Sequence, residues 1–458
     1  MSQIHQLSLT QLAAAIAQGR LSAREVSTAF LHRIEAHNPQ LHAFLQVDAE
    51  ATLAEADARD AHRLAGLACG ALHGVPIAIK DIIDVEGYPT TGNSRITICE
   101  RASRDAFVVA QLRRAGAVIL GKTALHEFAT GGPSFDLPWP PARNPWNRDH
   151  HPAGSSSGSG AAVAAEMIPG ALGTDTAGSV RNPATACGIV GMKPSYGAIS
   201  RSGVFPLAFS LDHIGPMTRT VADNALLYDA CIGHDRQDPT SVARLEPVFA
   251  GLQASIRGMR IGVIEAFNAQ AHPEIQASLA GAFKTLESLG AVLVPVQLPD
   301  LEAFSSSGRL IIQAESYAVH KAWMRSRAAE YGWRARTKIL AGAFVDAASY
   351  IQAQQARRAL CGAVEEVMRG VDALVCASSL ELTSRIDDDA EVDRTYDRQA
   401  RTPFNLTGSP AIAVPSGFAS NGLPIGFQIV GKLFDEASVY RIAHAFEMAQ
   451  PWAQHRPL

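Results

Sequence analysis

Two clusters of small hydroxyl residues give this sequence its chemical possibilities: Gly154-Ser-Ser-Ser-Gly-Ser-Gly160 and Gly173-Thr-Asp-Thr-Ala-Gly-Ser179. A serine hydroxyl is a weak nucleophile until a neighbouring base takes its proton, and a lysine can do this in place of histidine. Lys80 stands at the end of the apolar run Val75-Pro-Ile-Ala-Ile79. Burial there disfavours the ammonium form and lowers the pKa toward that of a working base. On residue type and spacing alone another reading stays open, in which Lys80 is a buried cation held by backbone carbonyls or by Asp81 or Asp84.

Other catalytic patterns fail on their surroundings. Gly116-Ala-Val-Ile-Leu-Gly-Lys-Thr123 spells a phosphate loop, but its variable positions are an apolar strand, whereas a phosphate cradle needs a loop whose N–H groups point at the ligand. Thr123 is read instead as the N-cap of the next helix. Gly154-Ser-Ser-Ser-Gly158 spells a nucleophile elbow centred on Ser156, yet a polar loop, Asn147 to Ala153, precedes it where an apolar strand is required. His126-Glu127 lacks the second histidine of a zinc helix, and His150-His151 has no partner at ligand spacing, so these histidines are read as solvated or structural and no metal is expected.

The elements that must position the hydroxyls follow from periodicity. The run 161–172 between the two clusters is apolar enough to be buried and would fix where each cluster emerges. Helices are expected at 9–18, at 22–37 from the capping box Ser22-Ala-Arg-Glu25, and at 50–64. A strand over 75–79, a helix over 106–115 and a strand over 117–120 then begin an α/β alternation. It resumes with strand 259–264, helix 273–288 and strand 291–294, and ends with strands at 373–376, 411–414 and 425–430 before a helix over 435–449. Residues 128–152 read as an ordered functional loop. Residues 306–370, helical and aromatic, read as a lid or a homodimer surface. The stretches 128–142 and 306–350 are expected to shape the substrate pocket. No linker or repeat divides the chain, so residues 1–458 are read as one domain with an N-terminal helical arm (about 1–65) and a helical insertion (about 306–370).

Composition bounds the partners. With 47% hydrophobic and 18% charged residues and a net charge of −4, the chain has no basic footprint for nucleic acid or an anionic membrane. No apolar run reaches the length of a membrane span, the start lacks a leader pattern, and the six scattered cysteines suit a reducing compartment. The expectation is a cytoplasmic protein with a small-molecule substrate, without nucleic acid or membrane.

The sequence resembles the amidase signature family. The matching residues are Gly74-Val-Pro-Ile-Ala-Ile-Lys-Asp81, Gly154-Ser-Ser-Ser-Gly-Ser-Gly160, Leu172 to Ala184, Gly191-Met-Lys-Pro-Ser-Tyr-Gly197, Asp212-His-Ile-Gly-Pro-Met217 and Gly422-Leu-Pro-Ile-Gly-Phe-Gln428. The resemblance implies a large mixed central β-sheet covered by helices on both faces, and a Ser–cis-Ser–Lys triad. Ser179 matches the nucleophile, Ser155 the bridging serine on a cis peptide and Lys80 the base. The N–H groups of Thr176, Ala177 and Gly178 match the oxyanion hole. Ser156, Asp175 and Arg181 fall in a supporting shell, with Arg181 either holding Asp175 or facing an anionic substrate.

The implied activity is hydrolysis of a linear amide, carbamate or urea-like C–N bond by water through an acyl-enzyme, without metal or cofactor. One rival is the glutamine-hydrolysing A subunit of a tRNA-dependent amidotransferase, which residues 191–197 also resemble; Ala177, where many members carry glycine, and the loop at 139–141 point away from it. A second rival is a non-catalytic scaffold with the same fold, against which intact Lys80, Ser155 and Ser179 argue.

Overall fold

The computed structural model describes residues 4–243 and 245–458. Residues 1–3, part of the start read as free of a leader, lie outside the described residues. The described chain is organised on one mixed sheet of 11 strands. In chain order these are β1 (Phe44–Val47), β2 (Pro76–Lys80), β3 (Val118–Thr123), β4 (Gly170–Asp175), β5 (Val190–Lys193), β6 (His213–Thr218), β7 (Arg260–Ile264), β8 (Val292–Val296), β9 (Ala373–Ala377), β10 (Ala411–Phe418) and β11 (Pro424–Gly431). They lie side by side in the order β1-β3-β2-β4-β6-β5-β10-β11-β9-β7-β8, with helices on both faces. This is the fold class that the resemblance implies.

Local chemistry explains much of this. The capping box at Ser22 is formed, its hydroxyl accepting from Glu25 N–H and its N–H donating to the Glu25 carboxylate, and the helix runs Ala23–Leu41. Strands β2 and β4 are buried along their whole length, as their unbroken runs of apolar and small residues require on a sheet covered on both faces. Thr123 departs from expectation: it ends β3 rather than capping a helix, and its hydroxyl bonds to Ser159 Oγ at 2.7 Å. The strand runs on through Lys122 because that ammonium is neutralised inside the protein by Asp81, 2.8 Å away. Phosphate-loop geometry is thereby absent from 116–123.

Two arrangements position the hydroxyl clusters. β2 runs parallel to β4, with Ala78 opposite Ala171 and Ile79 opposite Leu172, so Lys80 and Thr174 leave the sheet at the same edge. The short helix Ser157–Ala164 is built from small residues and is buried throughout. It lies so close to the chain after β3 that a Cβ on Gly158 would meet Ala43 O at 2.3 Å and Ala124 N at 2.4 Å. Ser159 ties the helix to the sheet through Thr123 and Leu172 O (3.0 Å). The apolar run 161–172 is buried, as its composition dictates. Helices Leu301–Ser326 and Trp333–Leu340 face this end of the strands, Ala347–Arg369 packs on Leu301–Ser326, and Phe128, Phe205, His320, Trp323 and Tyr331 form an aromatic cluster. No described helix is long and apolar enough to cross a membrane.

Candidate active site

Lys80 has no exposed surface, and its Nζ donates to Thr174 Oγ1 at 2.7 Å, Ser155 Oγ at 2.8 Å and Ser156 Oγ at 3.0 Å. The carboxylates that could have neutralised it are occupied elsewhere: Asp81 pairs with Lys122, and Asp84 accepts from Thr90. Burial therefore pushes the Lys80 ammonium down to about 7, partly opposed by the more distant charges of Asp175 and Asp212. A lysine ringed by hydroxyls near its own pKa can both accept and return a proton at neutral pH.

The three serines in a row have different surroundings. The peptide between Gly154 and Ser155 is cis. The Ser156 hydroxyl donates to Thr174 O and accepts from Thr174 N–H, both at 3.2 Å, so its hydrogen is committed to the strand. Ser155 Oγ has Lys80 as its side-chain partner, and its hydrogen is uncommitted among the described residues. The loop is held against the turn bearing Ser179, with Ser156 N–H donating to Ser179 O at 3.2 Å and Asn182 Nδ2 to Gly154 O at 3.4 Å.

That turn is built around Asp175. Its carboxylate accepts from the N–H groups of Gly178 (2.7 Å), Val180 (3.2 Å) and Arg181 (3.4 Å), from Asn405 Nδ2 (2.8 Å), and from Arg181 Nε and Nη2 (both 3.0 Å). The Arg181 guanidinium beside it outweighs burial and holds the carboxyl far below the usual carboxylate range. Arg181 also donates to Gln428, Asn405 and Arg401 O. Of the two roles open to Arg181, the structure therefore gives it the one of holding Asp175. Gly178 differs from expectation, because its N–H is spent on Asp175 and not aimed at a substrate. The uncommitted backbone N–H groups of the turn among the described residues are those of Thr176, Ala177 and Ser179. The Thr176 hydroxyl donates to buried Asp212 at 2.6 Å, which steadies the loop, and burial raises Asp212 to about 6.

Ser179, Thr176, Ala177 and Gly178 line a cavity of about 280 Å³. Its far walls come from helix Leu301–Ser326 (Arg309, Gln313), from Lys338 of helix Trp333–Leu340, and from the segment 396–402. The first two regions are where sequence places the pocket wall; the third, which brings Tyr396, Asp397 and Arg401, carries no sequence signal of its own. His126, read as solvated or structural, is buried and lines this cavity; burial holds its imidazole neutral, and Nδ1 lies 3.3 Å from Tyr396 Oη. Its ring covers Gly154 so closely that a Cβ there would fall 2.3 Å from Cε1. Thr174, also missed by sequence, announces itself only through the register of β2 on β4. His150 and His151 bond to Thr383 O and Ser384 Oγ, and no cluster of metal-ligating side chains occurs among the described residues.

Known proteins resemble this chain along most or all of its length. The family model described as Amidase matches residues 25–440. The A subunit of glutamyl-tRNA(Gln) amidotransferase from Chloroflexus aurantiacus is 38% identical over 487 aligned positions, covering 100% of this chain and 99% of that protein. The protein of the same name from Chromohalobacter salexigens is 39% identical, covering 99% of each. Among solved structures, a protein described in a vestigial complex bearing on the origins of an s-triazine catabolic enzyme superposes with a TM-score of 0.92 at 33% identity, over 97% of this chain and 99% of the other. The corresponding amidotransferase A subunit from Thermotoga maritima gives 0.83 at 33% identity, over 98% and 95%. These relatives overturn one expectation, the exclusion of nucleic acid. Proteins matching along the whole chain are named as subunits of a glutamyl-tRNA(Gln) amidotransferase, and the charge argument fails because a net charge of −4 on one chain says nothing of the surface a multi-subunit enzyme offers to RNA.

Proposed function

Because the chain belongs to the amidase family, whose members act on carbon–nitrogen bonds, we propose that it hydrolyses the side-chain amide of glutamine as the A subunit of a tRNA-dependent amidotransferase. The observation that carries the chemistry is Lys80, buried among three hydroxyls with no carboxylate partner. The substrate reading is supported by the full-length likeness to the A subunits and by the cavity's charges. Asp397 and the cations Lys338 and Arg401 line the cavity together, so that it presents both signs of charge to a zwitterionic amino acid. We place the protein in the cytoplasm on the same footing.

In this mechanism Ser179 is the nucleophile. Near pH 7 Lys80 is half neutral and can accept one proton. Ser156 cannot pass it one, since its hydrogen is held by Thr174 O, so the relay is Ser155, which gives its proton to Lys80 as it takes that of Ser179. Ser179 Oγ attacks the amide carbon, and the N–H groups of Thr176 and Ala177 receive the developing oxyanion, each such donor contributing about 2.7–4 kcal/mol. The proton returns through Ser155 to the departing ammonia. A water then repeats the sequence on the acyl-enzyme and frees glutamate.

The test is ammonia release from glutamine by the chain alone and with its partner subunits and charged tRNA, with Ser179→Ala as control. Wild-type turnover by Ser179→Ala would sink the mechanism. A second reading, a hydrolase of a small linear amide, carbamate or urea-like compound, is favoured by the TM-score of 0.92 to the s-triazine-related protein against 0.83 for the amidotransferase chain. Turnover of such compounds without partners, and none of glutamine with them, would select it. Failure of Ser179 to take a covalent adduct from a serine-directed phosphonate would leave only the non-catalytic scaffold.

A further inference from the structure

Four arginines are buried among the described residues: Arg181, Arg219, Arg334 and Arg401. A buried cation destabilises a protein unless an opposite charge answers it, and three of these have one. Arg181 pairs with Asp175, Arg219 with Glu166, and Arg334 with Asp389 and Asp393. Arg401, 2% exposed, has no carboxylate within ion-pair distance among the described residues.

Its hydrogen bonds are lopsided. Nη1 donates to Ser378 O at 2.9 Å and Ser379 Oγ at 2.7 Å, while Nε is buried without any partner and Nη2 has none among the described residues. Nε–H and Nη2–H lie on one edge of a guanidinium, the edge that grips a carboxylate with two parallel hydrogen bonds. That edge belongs to the nucleophile's neighbourhood: Arg401 lines the same cavity as Ser179, and a Cβ on Gly178 would fall 2.3 Å from Arg401 Nε. The cavity's other cations differ. Lys338 is already answered by Asp397, and Arg309 is exposed to solvent.

We propose that Arg401 is the specificity-determining residue of this site, the anchor for a carboxylate carried by the substrate, so that the chain selects amides of small carboxylic acids over neutral amides. The inference rests on the reading of Ser179 as an amide-hydrolysing nucleophile. For glutamine, the carboxylate takes the unpaired edge of Arg401 and the ammonium faces Asp397. For a simple acid amide, the carboxylate contact alone orients the carbonyl over Ser179.

The experiment compares succinamate with butyramide, its neutral counterpart, for wild type, Arg401→Gln and Arg401→Lys, and in parallel titrates succinate into each by calorimetry. A charge-assisted pair predicts that the succinamate-to-butyramide ratio of kcat/KM falls about 10- to 100-fold in Arg401→Gln, mainly through KM, and less in Arg401→Lys. Succinate affinity should fall by a similar factor. A parallel loss on both amides, or equal succinate binding by wild type and Arg401→Gln, would mean that Arg401 only packs against Gly178, and would overturn the proposal. Arg401-dependent succinate binding without turnover of either amide would keep the anchor and instead remove the catalytic reading.

Discussion

Replacing Lys80 by Met keeps an unbranched stem in the same slot and removes the titrating group, which makes the energetic consequence of that group measurable. In the folded protein Lys80 titrates at about 7, against the ordinary lysine value of 10.5, a difference of 10.5 − 7 = 3.5 caused first by burial. The sign follows from proton counting. Between those two values the unfolded chain binds the proton and the folded chain releases it, so stability rises with pH across this window and the full cost stands below about pH 7. Integrating the two titrations gives a gain of about 3.5 kcal/mol for wild type between about pH 7 and about pH 10 from this group alone. Lys80→Met should lack that increment. Urea unfolding of both proteins at several pH values measures the difference, and an offset independent of pH would refute the reasoning. In wild type, the same ionisation should appear as an acid limb near pH 7 in kcat/KM, lost as Lys80 takes up its proton. A limb near the ordinary lysine value would mean that Lys80 is not the base.

Two further outcomes separate neighbouring roles. Ser155→Ala should lower the acylation rate by about 10²- to 10⁴-fold, the range for removing a proton-transfer group, whereas Ser156→Ala, which leaves the relay hydrogen in place, should cost clearly less; burst kinetics with an activated ester would reveal the ranking, and equal losses would contradict it. Arg181→Met leaves the Asp175 carboxylate buried without its cation, so the protein should lose about 3–5 kcal/mol of stability by denaturant titration, and a loss near zero would mean that Asp175 is held by its N–H donors alone.

How much of this is legible in sequence depends on the range of the cause. The capping box at Ser22 needs residues three apart, and its helix starts where the motif says. The run before Lys80 is a strand because five successive residues agree, and burial follows from composition. Thr123 misleads because β3 continues only if Lys122 is neutralised, and its partner Asp81 lies in a different strand's exit loop. Thr174 is separated from Lys80 by 94 positions, and nothing short of strand register brings the two within 2.7 Å. The commitment of Gly178 N–H to Asp175, and the arrival of Tyr396, Asp397 and Arg401 at the cavity, are likewise products of the tertiary fold. The family's motifs point to the nucleophilic turn, but the charge balance of one chain misleads on nucleic acid, since the charge of a single polypeptide is not that of an assembly.

The clamp on Asp175 also sets a timetable. Arg181 and the nucleophilic turn lie in the first half of the chain, yet the oxygen atoms that complete the guanidinium's shell belong to Arg401, Asn405 and Gln428. During synthesis from the N-terminus, domains gain native contacts as their partners leave the ribosome. The serine turn therefore has its full set of partners only once Arg401, Asn405 and Gln428 have been made. A nascent chain that stops short of Arg401 carries Lys80, Ser155 and Ser179 without the oxygen atoms that fasten the turn, so under the proposed mechanism it would lack the frame that aims them.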